Sequence, residues 1–203
     1  ALANATESTN PPLSADLLLQ DVVSQFPSEP ITVSGKLLVR RRRGVSAGNY
    51  LFELKADWGQ NPPCATYRID DSFGQPLEQI TITHGKPNSH QYYAGNPLQL
   101  ATLISLSDSI QNTDLTWTDL TLAFLWWPGG KIIGDESVRT HDCYIVEVKA
   151  PVTNNSTHST VKIWVSKKSH CMLQAEGYSA SHKLIRRLWI KNLLKITDQW
   201  MLN

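Results

Sequence analysis

The stretch "DLTWTDLTLAFLWWPGGK", residues 114–131, decides how the rest of the chain is read. Between Leu115 and Trp127 it carries three tryptophans, four leucines and a phenylalanine, then breaks at Pro128-Gly129-Gly130. Thr116 and Asp119 make a T-x-x-D capping box, in which each side chain satisfies a backbone N–H at the start of a helix. The spacing predicts a helix over 117–127. Leu120, Phe124 and Trp127 form one stripe of it, while Leu122, Leu125 and Trp126 cover much of the remainder. The plainest reading is a core helix. A helix that is apolar nearly all round, however, must be buried on both sides or must meet something besides its own sheet.

Working outward, the period on both flanks is two. On the N-terminal side "PLSADLLLQDVVSQFP" first gives an amphipathic helix near 14–25, with Ser14 as N-cap and Pro27 as stop. Alternation follows, with Ile31, Val33, Leu37 and Val39 on one face. Then come Tyr50, Phe52, Leu54, Ala56 and Trp58, and after them Ala65, Tyr67 and Ile69, then Ile80 and Ile82. The separators "RGVSAGN", "GQNPP" and "DSFGQP" are turn chemistry, so these segments read as a meander of antiparallel strands. From Asn96 to Gly130 the chain reads as helix and loop. Beyond Gly134 strands return in "CYIVEVKAP", "STVKIWVSK", "CMLQAEGYS" and "LIRRLWIKNLLKI". The order helix, strands, helices, strands predicts an α+β fold: a single curved antiparallel sheet with helices packed on its concave face.

The 203 residues are enough for a sizeable core, and they are expected to form one domain with residues 1–12 disordered. With 19 basic and 18 acidic side chains there is no global field to draw nucleic acid, which is excluded as a partner. Ala1 and Ala3 stand at the A-x-A spacing of a signal-peptide cleavage site, although a short disordered start accounts for them equally well. Sequons at Asn4, Asn154 and Asn155 matter only in a eukaryotic secretory route. "PGGKIIGDES" is not a phosphate loop, because Leu125 stands where the Walker pattern needs its first glycine. No G-x-S-x-G elbow, H-x-x-x-H or C-x-x-C pattern occurs, so neither a hydrolase nor a metal site is expected, and no cofactor. Cys64, Cys143 and Cys171 are odd in number, and alternation points Cys143 and Cys171 to different sides, which disfavours a bridge. The run Arg40–Arg43 reads as a solvated strand end. Within it, Arg41 continues the Ile31, Val33, Leu37, Val39 face and would point into the apolar concavity.

These pieces together resemble a known family. "DLTWTDL" ahead of the helix, "IWVSK" with Trp164 to Lys167, and "LQAEGY" from Leu173 to Tyr178 are similar to motifs of the bacterial outer-membrane lipoprotein-sorting proteins, the LolA-like family. The family's late G-x-W reads Asp198, Gln199, Trp200 here, with the glycine replaced. The resemblance implies an incomplete, half-open β-barrel with helices over its apolar mouth, and further strands past the late tryptophan. It implies a periplasmic carrier of a hydrophobic ligand, such as a lipid or the acyl chain of a lipoprotein, with envelope proteins as possible partners and no catalysis. The alternative is a structural or envelope-assembly protein whose barrel is filled by its own side chains. The expected ligand contacts are Phe52, Leu54, Trp58, Tyr67, Ile82, Phe124, Trp126 and Trp127. Arg41 matches the family's lid-holding arginine in "GKLLVRR", with Arg42 where the family has proline. Arg41 is therefore expected to bond the carbonyls near Trp127 to Gly130.

Overall fold

Alternation and capping chemistry become strands and helices much where the sequence places them. The computed structural model describes residues 13–40, 46–85, 88–102, 105–151, 158–190, 193–196 and 199–202, the last two segments as backbone. Arg41 and the sequons lie outside the described residues. The first helix, α1, spans Ala15–Ser24, and Ser14 Oγ accepts from the Leu17 amide at its start. Ala15, Leu18, Leu19 and Val22 recur at helical spacing and are buried.

Six strands follow in one antiparallel sheet, ordered as in the chain: β1 Ile31–Arg40, β2 Ser46–Asp57, β3 Cys64–Asp70, β4 Pro76–Thr83, β5 Ser89–Ala94 and β6 Gln99–Ala101. Register places Val33 opposite Leu54, Leu54 opposite Tyr67, Tyr67 opposite Ile80, and Ile80 opposite Tyr92. One inward row thus crosses five strands, and it is the apolar face that period two announced. At the tip of the β3–β4 hairpin, Asp71 Oδ1 accepts from the amides of Phe73 and Gln75, both at 2.8 Å.

The predicted helix over 117–127 is two short pieces. Helix α2 covers Trp117–Leu120, and a 3-10 turn covers Ala123–Trp126. The capping box is present, with Thr116 and Asp119 each satisfying the other's backbone amide. Leu122 takes left-handed dihedrals (φ 52°, ψ 34°) and breaks the run. Burial accounts for the break. A straight helix with apolar residues on every side would leave one side in water, whereas the bend buries Ala123, Phe124, Leu125 and Trp127 after Trp117 is already enclosed.

Strands β7 Lys131–Val138, β8 His141–Lys149, β9 Thr160–Ser166, β10 Met172–Tyr178 and β11 Leu184–Trp189 make a second antiparallel sheet in the order β11-β10-β9-β8-β7. A separate hairpin pairs β12 Leu193–Ile196 with β13 Gln199–Leu202. The architecture is the open, curved antiparallel one with helices against it. Its hydrogen bonding divides into a six- and a five-stranded sheet, and no barrel closes among the described residues. Several strands fall where no strand was expected, β5 among them. β6 lies inside the segment read as helix and loop. β7 begins at Lys131, ahead of the expected start beyond Gly134, and a register shift between Ile132 and Gly134 disrupts the alternation that would have shown it.

Two cores result. Ala56, Ala65, Tyr67, Ile69, Ile80, Ile82, Ile110 and Trp117 pack on the six-stranded sheet. The other core joins α1 (Leu18, Leu19, Val22) and the turn (Phe124, Leu125, Trp127) to Val146, Val148, Val161 and Ile163 of the five-stranded sheet. The stretch that opened the sequence reading therefore serves both sheets, Trp117 on one and Phe124 to Trp127 on the other.

Candidate functional site

Where the two cores meet, a cavity of about 470 Å³ remains. Strands β1 and β2 form one wall through Ile31, Val33, Leu37, Phe52 and Leu54, with Tyr67 of β3 behind them. The end of α1 supplies Val22, Phe26 and Pro27. Leu115, Leu120, Leu122 and Leu125 form the roof, and Met172, Leu188 and Ile190 close the side toward the second sheet. The lining is apolar almost throughout, as befits a site for a hydrophobic ligand.

The expected contacts separate into two groups. Phe52, Leu54, Trp58 and Tyr67 lie together on the cavity wall. Ile82 packs in the six-stranded core, and Phe124 and Trp127 pack in the other, their rings 6.5 Å apart edge to face. Trp126 turns toward the six-stranded sheet and stacks on His84, with ring centroids 3.7 Å apart and planes 8° from parallel. Arg41 lies outside the described residues. The contributions of α1, β10 and β11 went unpredicted, because residues so distant in sequence meet only through the fold.

An aromatic chain links the walls. The Trp58 ring lies 4.7 Å from Phe26, Phe26 lies 6.2 Å from Trp126, and Trp126 covers His84. His84 is buried, and neither ring nitrogen has a hydrogen-bond partner among the described residues. Burial pushes its imidazole down to about 4, so it is neutral at pH 7. The indole nitrogens of Trp58 and Trp117 are likewise buried without partners among the described residues.

The roof is held at both ends. At its start, Asp119 accepts from the Thr116 hydroxyl at 2.9 Å and the Thr116 amide at 3.2 Å, and pairs with His158 Nε2 at 3.0 Å. Arg186 of β11 approaches the same carboxylate at 3.4 Å, pairs with the Asp114 carboxylate at 3.2 Å and donates to the Asp114 carbonyl. Burial pushes the Asp119 carboxyl up. The hydrogen bond and charge of His158, with the two bonds from Thr116, outweigh burial and hold it below the usual carboxylate value. His158 lies flat against Gly177 of β10, where an added Cβ would stand 2.8 Å from its Cδ2. Only glycine fits there. At the other end of the roof, the Gly130 amide donates to Asp16 of α1 at 2.8 Å. Among the described residues, the arginine that contacts the start of the roof is Arg186.

A second depression, about 900 Å³, lies on the outer face of the five-stranded sheet over Trp164 and Leu173. Exposed Glu136, Arg139, His141 and Lys168 rim it, so it is an open, mixed-charge surface and a poor match to an apolar ligand.

An open antiparallel sheet, roofed by a D-L-T-W-T-D-L segment over an apolar cavity, defines a protein with the LolA-like fold. Solved structures bear this out at low sequence identity. A putative outer membrane lipoprotein-sorting protein domain from Vibrio parahaemolyticus superposes with a TM-score of 0.74 at 14% identity, covering 93% of this chain and 83% of that one. A LolA superfamily protein from Nitrosomonas europaea gives 0.68 at 18%, covering 94% and 83%. A DUF1329 family protein from Desulfovibrio piger ATCC 29098 gives 0.70 at 17%, covering 93% and 82%. A family model described as "Uncharacterized protein" matches residues 83–203, more than half of the chain, and the chain belongs to that family. No curated protein matches it by sequence.

Proposed function

We propose that this protein is a non-catalytic carrier that shelters the acyl chain of a lipid or lipoprotein in the periplasm of a bacterial envelope. The observation that carries the reading is the apolar cavity between the sheets, roofed by a segment pinned at both ends. The likeness to a lipoprotein-sorting domain supports it at the level of fold. Among the described residues, no helix is long and apolar enough to cross a membrane. The ligand contacts proposed are Phe52, Leu54, Trp58 and Tyr67, with Arg41 as a candidate partner for the roof. Burying a twelve-carbon chain at ~0.8 kcal/mol per methylene yields roughly 8–9 kcal/mol before ordering costs, consistent with micromolar or weaker affinity.

An environment-sensitive fluorescent fatty acid is expected to brighten on mixing with the protein. Val33→Trp fills the cavity from the β1 edge, and it should weaken that binding by about 10-fold or more while the unliganded protein keeps its stability. A probe as dim with the wild-type protein as in buffer would sink the carrier reading. It would favour the second one, an envelope-assembly protein with a self-filled interior. That second reading has an observation behind it too. Phe124, Trp126 and Trp127 spend their rings on packing among protein groups.

A further inference from the structure

The cavity wall carries a hydroxyl that no described residue engages. Tyr67 is only 4% exposed and lines the cavity, between Leu54 and Ile80 in the sheet register. Its ring sits 6.4 Å from Phe52; its hydroxyl makes no hydrogen bond to the described residues and is not among their fully enclosed polar atoms, so it is open to the cavity. Side chains stand roughly perpendicular to a sheet, so the hydroxyl is the part of Tyr67 that reaches furthest toward the cavity. Burial pushes the phenol far above its usual range, and the group therefore stays an O–H donor at any physiological pH. Trp58, on the same wall, buries an indole N–H that has no partner among the described residues. A hydrocarbon chain satisfies neither. An unmet buried donor such as the Trp58 N–H is costly, and the Tyr67 hydroxyl, open to the cavity, is placed to donate to an acceptor that a ligand brings in.

We propose that the cavity recognises the acyl carbonyl as well as the chain, with the Tyr67 hydroxyl donating to the carbonyl oxygen of an ester- or amide-linked acyl group. This rests on the carrier reading and narrows it to carbonyl-bearing lipids, as opposed to alkyl ethers and plain hydrocarbons. Tyr67→Phe removes one oxygen and leaves the packing ring in place. It breaks no protein hydrogen bond, so the variant should fold with unchanged stability.

The test is calorimetric titration with 1-lauroylglycerol, its ether analogue 1-dodecylglycerol and N-lauroylethanolamine, each below its aggregation concentration. Wild-type protein should bind the ester or the amide about 10-fold more tightly than the ether. The better of the two carbonyl ligands assigns the source, an ester-linked lipid or an N-acylated one. Tyr67→Phe should erase the advantage over the ether while leaving the ether's own affinity in place. Equal affinities for all three in the wild type, or a uniform loss in Tyr67→Phe, would overturn carbonyl recognition with the carrier reading intact. Absence of binding by any of the three would overturn the carrier reading itself.

Discussion

Asp119→Ala is expected to lower the unfolding free energy by about 3–5 kcal/mol, the range found when one member of a buried, paired charge cluster is removed. The carboxylate is 3% exposed as a residue, and its oxygens face His158, both donors of Thr116, and Arg186. Deleting it strips the capping box from α2 and leaves the His158 ring and the Arg186 guanidinium beside a hole. The damage should be local before it is global. Hydrogen exchange across 114–121 should rise before the outer strands loosen, because Asp119 ties the roof to β11 and to His158 ahead of β9. Asp119→Asn keeps the shape and loses the charge, and should cost less. Denaturant midpoints with an unchanged slope would measure the difference, and a loss under about 1 kcal/mol for the alanine variant would show the cluster to be dispensable.

Acid should weaken the fold through a different residue, His84. Its folded value of about 4 lies below the ordinary histidine value of 6.5, so the unfolded chain takes up the proton first. Stability from this group is complete above about pH 6.5. It falls as the pH drops from there toward 4 and then levels off, by about 3 kcal/mol in total at 1.36 kcal/mol per unit. Asp119 obeys the opposite order. Its folded value is held below the ordinary carboxylate value, so its contribution is full above about pH 4 and is lost only below that. The two windows therefore separate. His84→Phe keeps a ring on Trp126 but carries no proton, and chemical denaturation should then show little slope between pH 7 and pH 4.5. An unchanged slope would assign the acid sensitivity elsewhere.

Much of this molecule was legible wherever a local rule was also the global one. The Ser14 cap and the spacing of Leu18, Leu19 and Val22 announced α1. The alternation of Ala65, Tyr67 and Ile69 announced β3, and Thr116 with Asp119 announced the start of α2. Legibility failed where tertiary burial overrode local pattern. The excess of apolar residues in 117–127 read as one long helix, and the fold resolves that excess by bending at Leu122 so that two sheets share it. The site was half legible for the same reason. Phe52, Leu54, Trp58 and Tyr67 belong to strand faces, which period two defines, and they reach the cavity. Phe124, Trp126 and Trp127 belong to the bent segment, whose faces a straight-helix reading assigns wrongly. His158 and Arg186 carry no signal of their own in the sequence, since their meaning is the carboxylate they meet across 39 residues and across the roof.

Cys64, Cys143 and Cys171 are all free thiols, and Cys143 and Cys171 are buried on different packing surfaces, one beside Trp164 and Leu173, the other on the cavity wall. Burial raises both of those thiols above their usual value, so little reactive thiolate is present at neutral pH. The electrochemical consequence is that no electron transfer enters this protein's folding equilibrium. Its melting midpoint should be the same in a strong dithiol reductant as in air, and the same fold should form in a reducing cytosol as in an oxidising compartment.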